Sequence, residues 1–168
     1  MENSTPTTKE FALTRQFAAP RALVFQALTE ADRLARWWGP KDFAMVSAKV
    51  DLRPGGLFHY QMLSPEGHVM WGRFAYREIV APERIVFTNS FSDAAGGVTR
   101  APFSPTWPLE VLNTLTLTEA AGLTTVTLRG GPVNATPEER RTFEGHFTSM
   151  QQGFGGTFDQ LAAYLAKL

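Results

Sequence analysis

The sequence predicts one α+β domain in which a curved antiparallel sheet wraps around a long C-terminal helix, with two short helices after the first strand. Three observations carry this. From Phe43 to Arg129 the chain reads as strand runs punctuated by turns containing Pro and Gly. Thr136-Pro137-Glu138-Glu139 then supplies an N-cap, a proline at the first helical position and a Thr-x-x-Glu capping box. Beyond it Phe143, Phe147, Met150, Phe154, Thr157, Phe158, Leu161 and Leu165 recur at three- and four-residue steps. One broad helix face is therefore apolar to roughly the end of the chain, and the sheet is the surface available to cover it.

Taken in order, residues 1 to 10 are polar and are expected to be a flexible lead-in, leaving 11 to 168 as the domain. Phe11 to Phe17 reads as the first strand. Pro20 suits the first turn of a helix carrying Leu23, Val24, Ala27 and Leu28, and Glu30 to Trp38 resumes the helical spacing before Gly39-Pro40 stops it. The following strands are expected at Phe43–Asp51, Leu57–Leu63, Val69–Val80, Arg84–Phe91, Leu109–Glu119 and Leu123–Arg129. The short turns between most of them make the sheet an antiparallel meander. Ser92 to Pro108 stays outside this pattern as a loop rich in Gly and Pro that carries Phe103 and Trp107. A loop of that length in a compact domain is usually functional or mobile.

Composition removes several classes of function. With 168 residues the chain can bury roughly 70% of the surface its unfolded form exposes, so it needs no disulfide or metal to hold it together. It has no cysteine, which excludes thiolate chemistry and thiolate zinc sites and leaves the cytoplasm as the expected location. Its 16 basic and 16 acidic residues balance without long runs, so no nucleic-acid partner is expected. The opening lacks an apolar signal segment and no stretch is long enough for a membrane span. His59, His68 and His146 lack metal-site spacing, and the Gly153-Phe154-Gly155-Gly156 cluster lacks the context of a phosphate loop, so neither metal nor cofactor is expected.

Strand alternation assigns an inward phase that includes Tyr60, Met62, Met70, Phe74, Phe87, Asn89 and Asn113. Two asparagines on an otherwise apolar phase must bond to each other, to water or to a ligand, since a stranded buried amide costs about 1–3 kcal/mol. Trp38 and Trp107 are amphipathic enough to line a pocket mouth, although packing alone also accounts for them. On the closing helix, Met150 and Phe154 belong to the apolar stripe, and His146 and Gly153 lie on its flank. These thirteen positions form the candidate ligand site. Glu78 shares the phase of Tyr76 and could act as an acid or base, but a strand-end pair with Arg84 explains it as well.

Particular residues now carry a resemblance: Pro20-x-x-x-Val24-Phe25-x-Ala27-Leu28-Thr29, Trp37-Trp38-Gly39-Pro40 and Arg53-Pro54-Gly55-Gly56-x-Phe58. They are joined by Pro65-x-Gly67, Gly72-x-Phe74 and Glu78-Ile79-Val80-x-Pro82-Glu83-Arg84-Ile85-Val86-Phe87. Together they resemble the bacterial branch of the START-like (SRPBCC) superfamily, and more narrowly the family homologous to the C-terminal domain of the heat-shock-protein ATPase activator. The resemblance covers about residues 11 to 168 and implies a helix-grip fold with an internal cavity for lipids, polyketides or other hydrophobic molecules. It implies no reaction, because relatives include both cyclases and carriers.

Three readings of function stand open. The first is binding of a small hydrophobic molecule, lipid-, polyketide- or aromatic-like, between sheet and helix. The second is an enzyme of cyclase or hydrolase type using the same pocket, with Glu78 or His146 in proton transfer. The third is an interaction domain for a chaperone ATPase, with a protein partner or a second copy of the chain on the outer surface.

Overall fold

Alternation along each strand decides which side chains become core. In β3 (Leu57–Leu63) Phe58, Tyr60 and Met62 are buried while their neighbours are half-exposed, and β7 (Val111–Ala120) repeats the pattern with Val111, Asn113, Leu115 and Leu117. The computed structural model describes residues 10–168, so the flexible segment expected at 1–10 lies, except for Glu10, outside the described residues.

The remaining strands are β1 (Phe11–Phe17), β2 (Ala44–Val50), β4 (Val69–Val80), β5 (Arg84–Ser92), β6 (Val98–Thr99) and β8 (Leu123–Pro132). They form an 8-stranded sheet in the order β1-β8-β7-β5-β4-β3-β2, with β6 added beside β5, and every pairing is antiparallel. Helices α1 (Arg21–Thr29) and α2 (Ala31–Trp37) carry the chain from one sheet edge to the other, α1 touching β7 and β8 and α2 touching β2. The β6 pairing falls inside the segment expected to be pure loop; two residues are too few to show alternation.

A bulge in the β4–β5 pairing between Tyr76 and Glu78 breaks the strict alternation. It turns Glu78 outward, where its side chain is 49% exposed and meets Arg84 at 2.6 Å. Glu78 therefore pairs with Arg84 near the end of β4 and does not face the interior.

The single closing helix expected from Thr136 onward is two helices, α3 (Pro137–Gly145) and α4 (Phe147–Ala166), broken at His146 with φ −105° and ψ 11°. In an uninterrupted helix the amide of residue 146 would bond the carbonyl of residue 142. Here the His146 ring Nδ1 donates to the Thr142 carbonyl at 2.7 Å, and the backbone N–H turns to Phe143 O at 3.1 Å. A local side-chain bond has replaced the helical one, next to Gly145, a weak helix former. Beyond the break Phe158 and Leu161 are fully buried on the sheet, as is Phe143 before it. Burial of side chains of this size contributes about 1.5–3 kcal/mol each.

The start of α3 shows the capping box expected from the sequence. Thr136 Oγ1 accepts from Glu139 N at 3.1 Å and Glu139 Oε1 accepts from Thr136 N at 2.9 Å. The other carboxylate oxygen of Glu139, a residue only 7% exposed, accepts from the Arg100 guanidinium. Arg100 also donates to Trp107 O at 3.1 Å, so one arginine ties the aromatic loop to the helix cap.

The Arg100 hydrogen bond, reinforced by the Thr136 N–H, holds the Glu139 carboxyl below its ordinary value of 4.5 against the opposing effect of burial. A carboxylate held low stabilises the fold above its unfolded-state value, and that contribution is lost as pH falls through the folded value. Glu139→Gln should therefore cost about 1–3 kcal/mol in urea unfolding near neutral pH. The difference between the two chains should shrink below about pH 4, as the native carboxyl protonates too. A penalty independent of pH would assign the effect to packing.

Gly153, Gly155 and Gly156 lie in mid-helix, and a Cβ built on any of them meets nothing within 4 Å. Gly155→Ala and Gly156→Ala should each stabilise the fold by about 0.5–1 kcal/mol through helix propensity and unfolded-chain entropy. For a domain of this size that corresponds to a rise in melting temperature of about 1–4 °C. A fall would show that α4 needs backbone freedom at that turn.

Candidate functional site

Between the concave face of the sheet and α4 lies a cavity of about 280 Å³. Of the thirteen candidate positions, Trp38, Tyr60, Met62, Met70, Phe74, Phe87, Asn89, Asn113, Met150, Gly153 and Phe154 line it. Trp107 and His146 line a second, outer chamber of about 250 Å³ with Phe103. The two chambers adjoin, since Asn89, Phe91, Asn113, Met150 and Phe154 border both.

The inner wall is an aromatic stack built by cross-strand register. Phe58 and Phe74 are direct partners in the β3–β4 pairing and Tyr76 faces Phe87 in the β4–β5 pairing. Phe74 stacks on Phe87 with ring centroids 4.2 Å apart, and Trp38 stands edge-on to Phe74 at 5.3 Å. Glycines make room for this packing. A Cβ on Gly72 would overlap the Tyr60 ring, and one on Gly39, where φ is +111°, would lie 2.7 Å from Met62 Sδ. Trp71, on the opposite face of the sheet, stacks on His59 outside the cavity.

Few polar groups face inward. Asn113, 5% exposed, donates from Nδ2 to Asn89 Oδ1 at 2.5 Å and to Val111 O at 3.3 Å. The two amides thus meet on neighbouring strands, and Gly130 leaves the space in which the Asn113 carboxamide oxygen sits. Burial pushes the Tyr60 phenol up to about 12, so it stays neutral and keeps its proton at physiological pH. The neighbouring Trp38 indole opposes that shift slightly, yet its buried Nε1–H has no partner at hydrogen-bonding geometry. Thr157 is satisfied by Gly153 O at 3.0 Å and Gly39 O at 3.3 Å.

Among the described residues no Asp, Glu, Lys or Arg lines either chamber, and His146 is the one imidazole, in the outer chamber. Its Nδ1 is engaged by Thr142 O, while its ring lies 5.5 Å from Trp107 and 6.0 Å from Phe103 between centroids. Among the described residues no three His, Cys, Asp or Glu side chains gather closely enough to hold a metal ion. Among the described residues no helix is long and apolar enough to cross a membrane.

Several lining residues went unnoticed in the sequence. Leu28 and Leu34 reach the inner chamber from α1 and α2, and Gly39 and Pro40 from the turn after α2. Their helical spacing marks them as buried but not against what. Arg100, the anchor of the aromatic loop, carries no sequence signal, because its partners Trp107 O and Glu139 lie 7 and 39 residues away.

Comparison with known proteins fits this geometry. The family model described as activator of Hsp90 ATPase homolog 1-like protein matches residues 18–166. No curated protein matches the chain. Among solved structures, a protein from Nitrosomonas europaea shares 26% identity at a TM-score of 0.75, covering 97% of each chain. One from Mycobacterium smegmatis also shares 26% identity at a TM-score of 0.75, over 94% of this chain and 91% of its own. The AHSA1 protein of Silicibacter pomeroyi, at 19% identity and a TM-score of 0.69 over 94% of this chain and 98% of its own, shares the fold. The chain belongs to the activator of Hsp90 ATPase homolog 1-like family, within the START-like superfamily of helix-grip α+β domains.

Proposed function

We propose that the chain binds a small, largely apolar molecule in the cavity between sheet and α4, with Trp107 and His146 at its outer mouth. The observation that carries this reading is a preformed apolar chamber lined by a few neutral polar groups and, among the described residues, by no charged side chain. Hydrophobic walls with sparse oriented polar groups are the usual composition of a small-molecule site. An ionised ligand would lose its hydration there and find no counter-ion. We place this activity in the cytoplasm, on the cysteine-free composition.

The enzyme reading has less support. Glu78 is exposed and paired with Arg84, which leaves His146 without a second proton-transfer group beside it. A chaperone or other protein partner, suggested by the family's description, would use the outer surface and leave the cavity unaffected.

Titration with the neutral apolar fluorophore N-phenyl-1-naphthylamine and with neutral biphenyls should show one saturable site. At one hundred times Kd a ligand that binds only the native state adds about 2.7 kcal/mol. The melting temperature should then rise by about 5–10 °C. A panel that leaves the melting temperature unchanged would remove the cavity reading and favour the outer surface.

A further inference from the structure

Asn89 and Asn113 hold more hydrogen-bonding capacity than they use. Each carboxamide offers one acceptor oxygen and two N–H donors. Asn113 Nδ2 spends its donors on Asn89 Oδ1 and Val111 O, and the second contact fixes its orientation, since a flipped amide would set two carbonyl oxygens against each other. What remains is Asn113 Oδ1, an acceptor, and Asn89 Nδ2, a donor, and neither has a partner among the described residues. Both asparagines border the inner and the outer chamber, so a molecule that bridges the chambers passes the pair, and Asn113 Oδ1 lies on its Gly130 side.

A group that satisfies both must itself present a donor and an acceptor close together. It must also be neutral, because among the described residues no cationic or anionic side chain lines the chambers to compensate a charge. Building on the cavity reading above, we propose that the bound molecule carries one primary amide or lactam group on an apolar body, and that this group docks on the Asn89–Asn113 pair. The pair then acts as a specificity determinant: it rejects an otherwise equal ligand that lacks the donor, because Asn113 Oδ1 would be left without a partner in the occupied cavity. Gly130 belongs to the same device, since any side chain there would collide with that oxygen.

The matched probes biphenyl-4-carboxamide and 4-acetylbiphenyl differ only in an amino group for a methyl. Their Kd values, measured by calorimetry and each corrected for its water–octanol partition coefficient, should favour the amide by about tenfold on the unaltered chain, the worth of one further hydrogen bond. Replacing both partners at once, Asn89→Leu with Asn113→Leu, should erase that preference while 4-acetylbiphenyl still binds. Equal corrected affinities on the unaltered chain would overturn the amide assignment and leave the cavity reading standing; this comparison needs no variant to fold. Binding of neither probe would remove both readings. A preference that survives in the double leucine chain would show that other groups than these asparagines select the amide.

Discussion

One row of helix, α3 followed by α4, has to cover a sheet face much wider than itself. Seven strands in a hydrogen-bonded row span about 30 Å at normal strand spacing. A helix with its side chains is about 10–12 Å across. Curvature of the sheet and the α1–α2 bridge reduce the uncovered area without closing it, and large aromatic side chains fill part of what remains. The cavity between β3, β4, β5, β7 and α4 is the residue of that mismatch. Since protein interiors otherwise pack to crystal-like density, an unfilled apolar space of this size in a well-formed core is a structural commitment of the fold.

Where the space lies is decided by small residues as much as by large ones. Gly72 lets the Tyr60 ring lie flat across β4, Gly39 accommodates Met62 Sδ, and Gly130 admits the Asn113 amide. At each of these glycines the missing Cβ leaves the room that a neighbouring side chain occupies. The cross-strand register then fixes the walls: Phe74 beside Asn89, and Phe87 beside Asn113. The amides are thus held among stacked rings, where an unmatched donor or acceptor costs far more than it would in water.

Much of this architecture was legible in the sequence because it follows from periodicity. β1, β3 and β4 have the ends that alternation and turn residues predict, and the helix-grip order of elements is as expected. Features that depend on local competition were not legible. The break at His146 arises from a ring nitrogen taking a carbonyl from the backbone, a choice that leaves the apolar spacing of Phe143, Phe147 and Met150 intact. The β4 bulge moves Glu78 to the outside without altering the composition of the strand. For the asparagines, alternation gives the inward phase of each residue. Their meeting depends on the β5–β7 register, which the long connection between those strands does not encode. The Arg100 bridge depends on the same connection folding back over α3.

The restraints on α4 are unevenly distributed. Its C-terminal half is pinned by polar contacts: Asp159 receives Arg15 from β1, Gln160 donates to the Trp37 and Gly39 carbonyls, and Thr157 bonds Gly39 O. From Phe147 to Phe154 the described contacts beyond the helix are apolar, chiefly those of the Phe147 and Phe154 rings with Phe11 and Phe143. This half is bounded by the His146 break on one side and by the glycines at 153, 155 and 156 on the other, each about 1 kcal/mol poorer in helix propensity than alanine. Local stability follows such restraints, so the segment that walls the cavity with Met150, Gly153 and Phe154 is the less firmly held part of the helix. Access through it requires apolar side chains to shift and no ion pair to break, whereas access past the other half would separate Arg15 from Asp159.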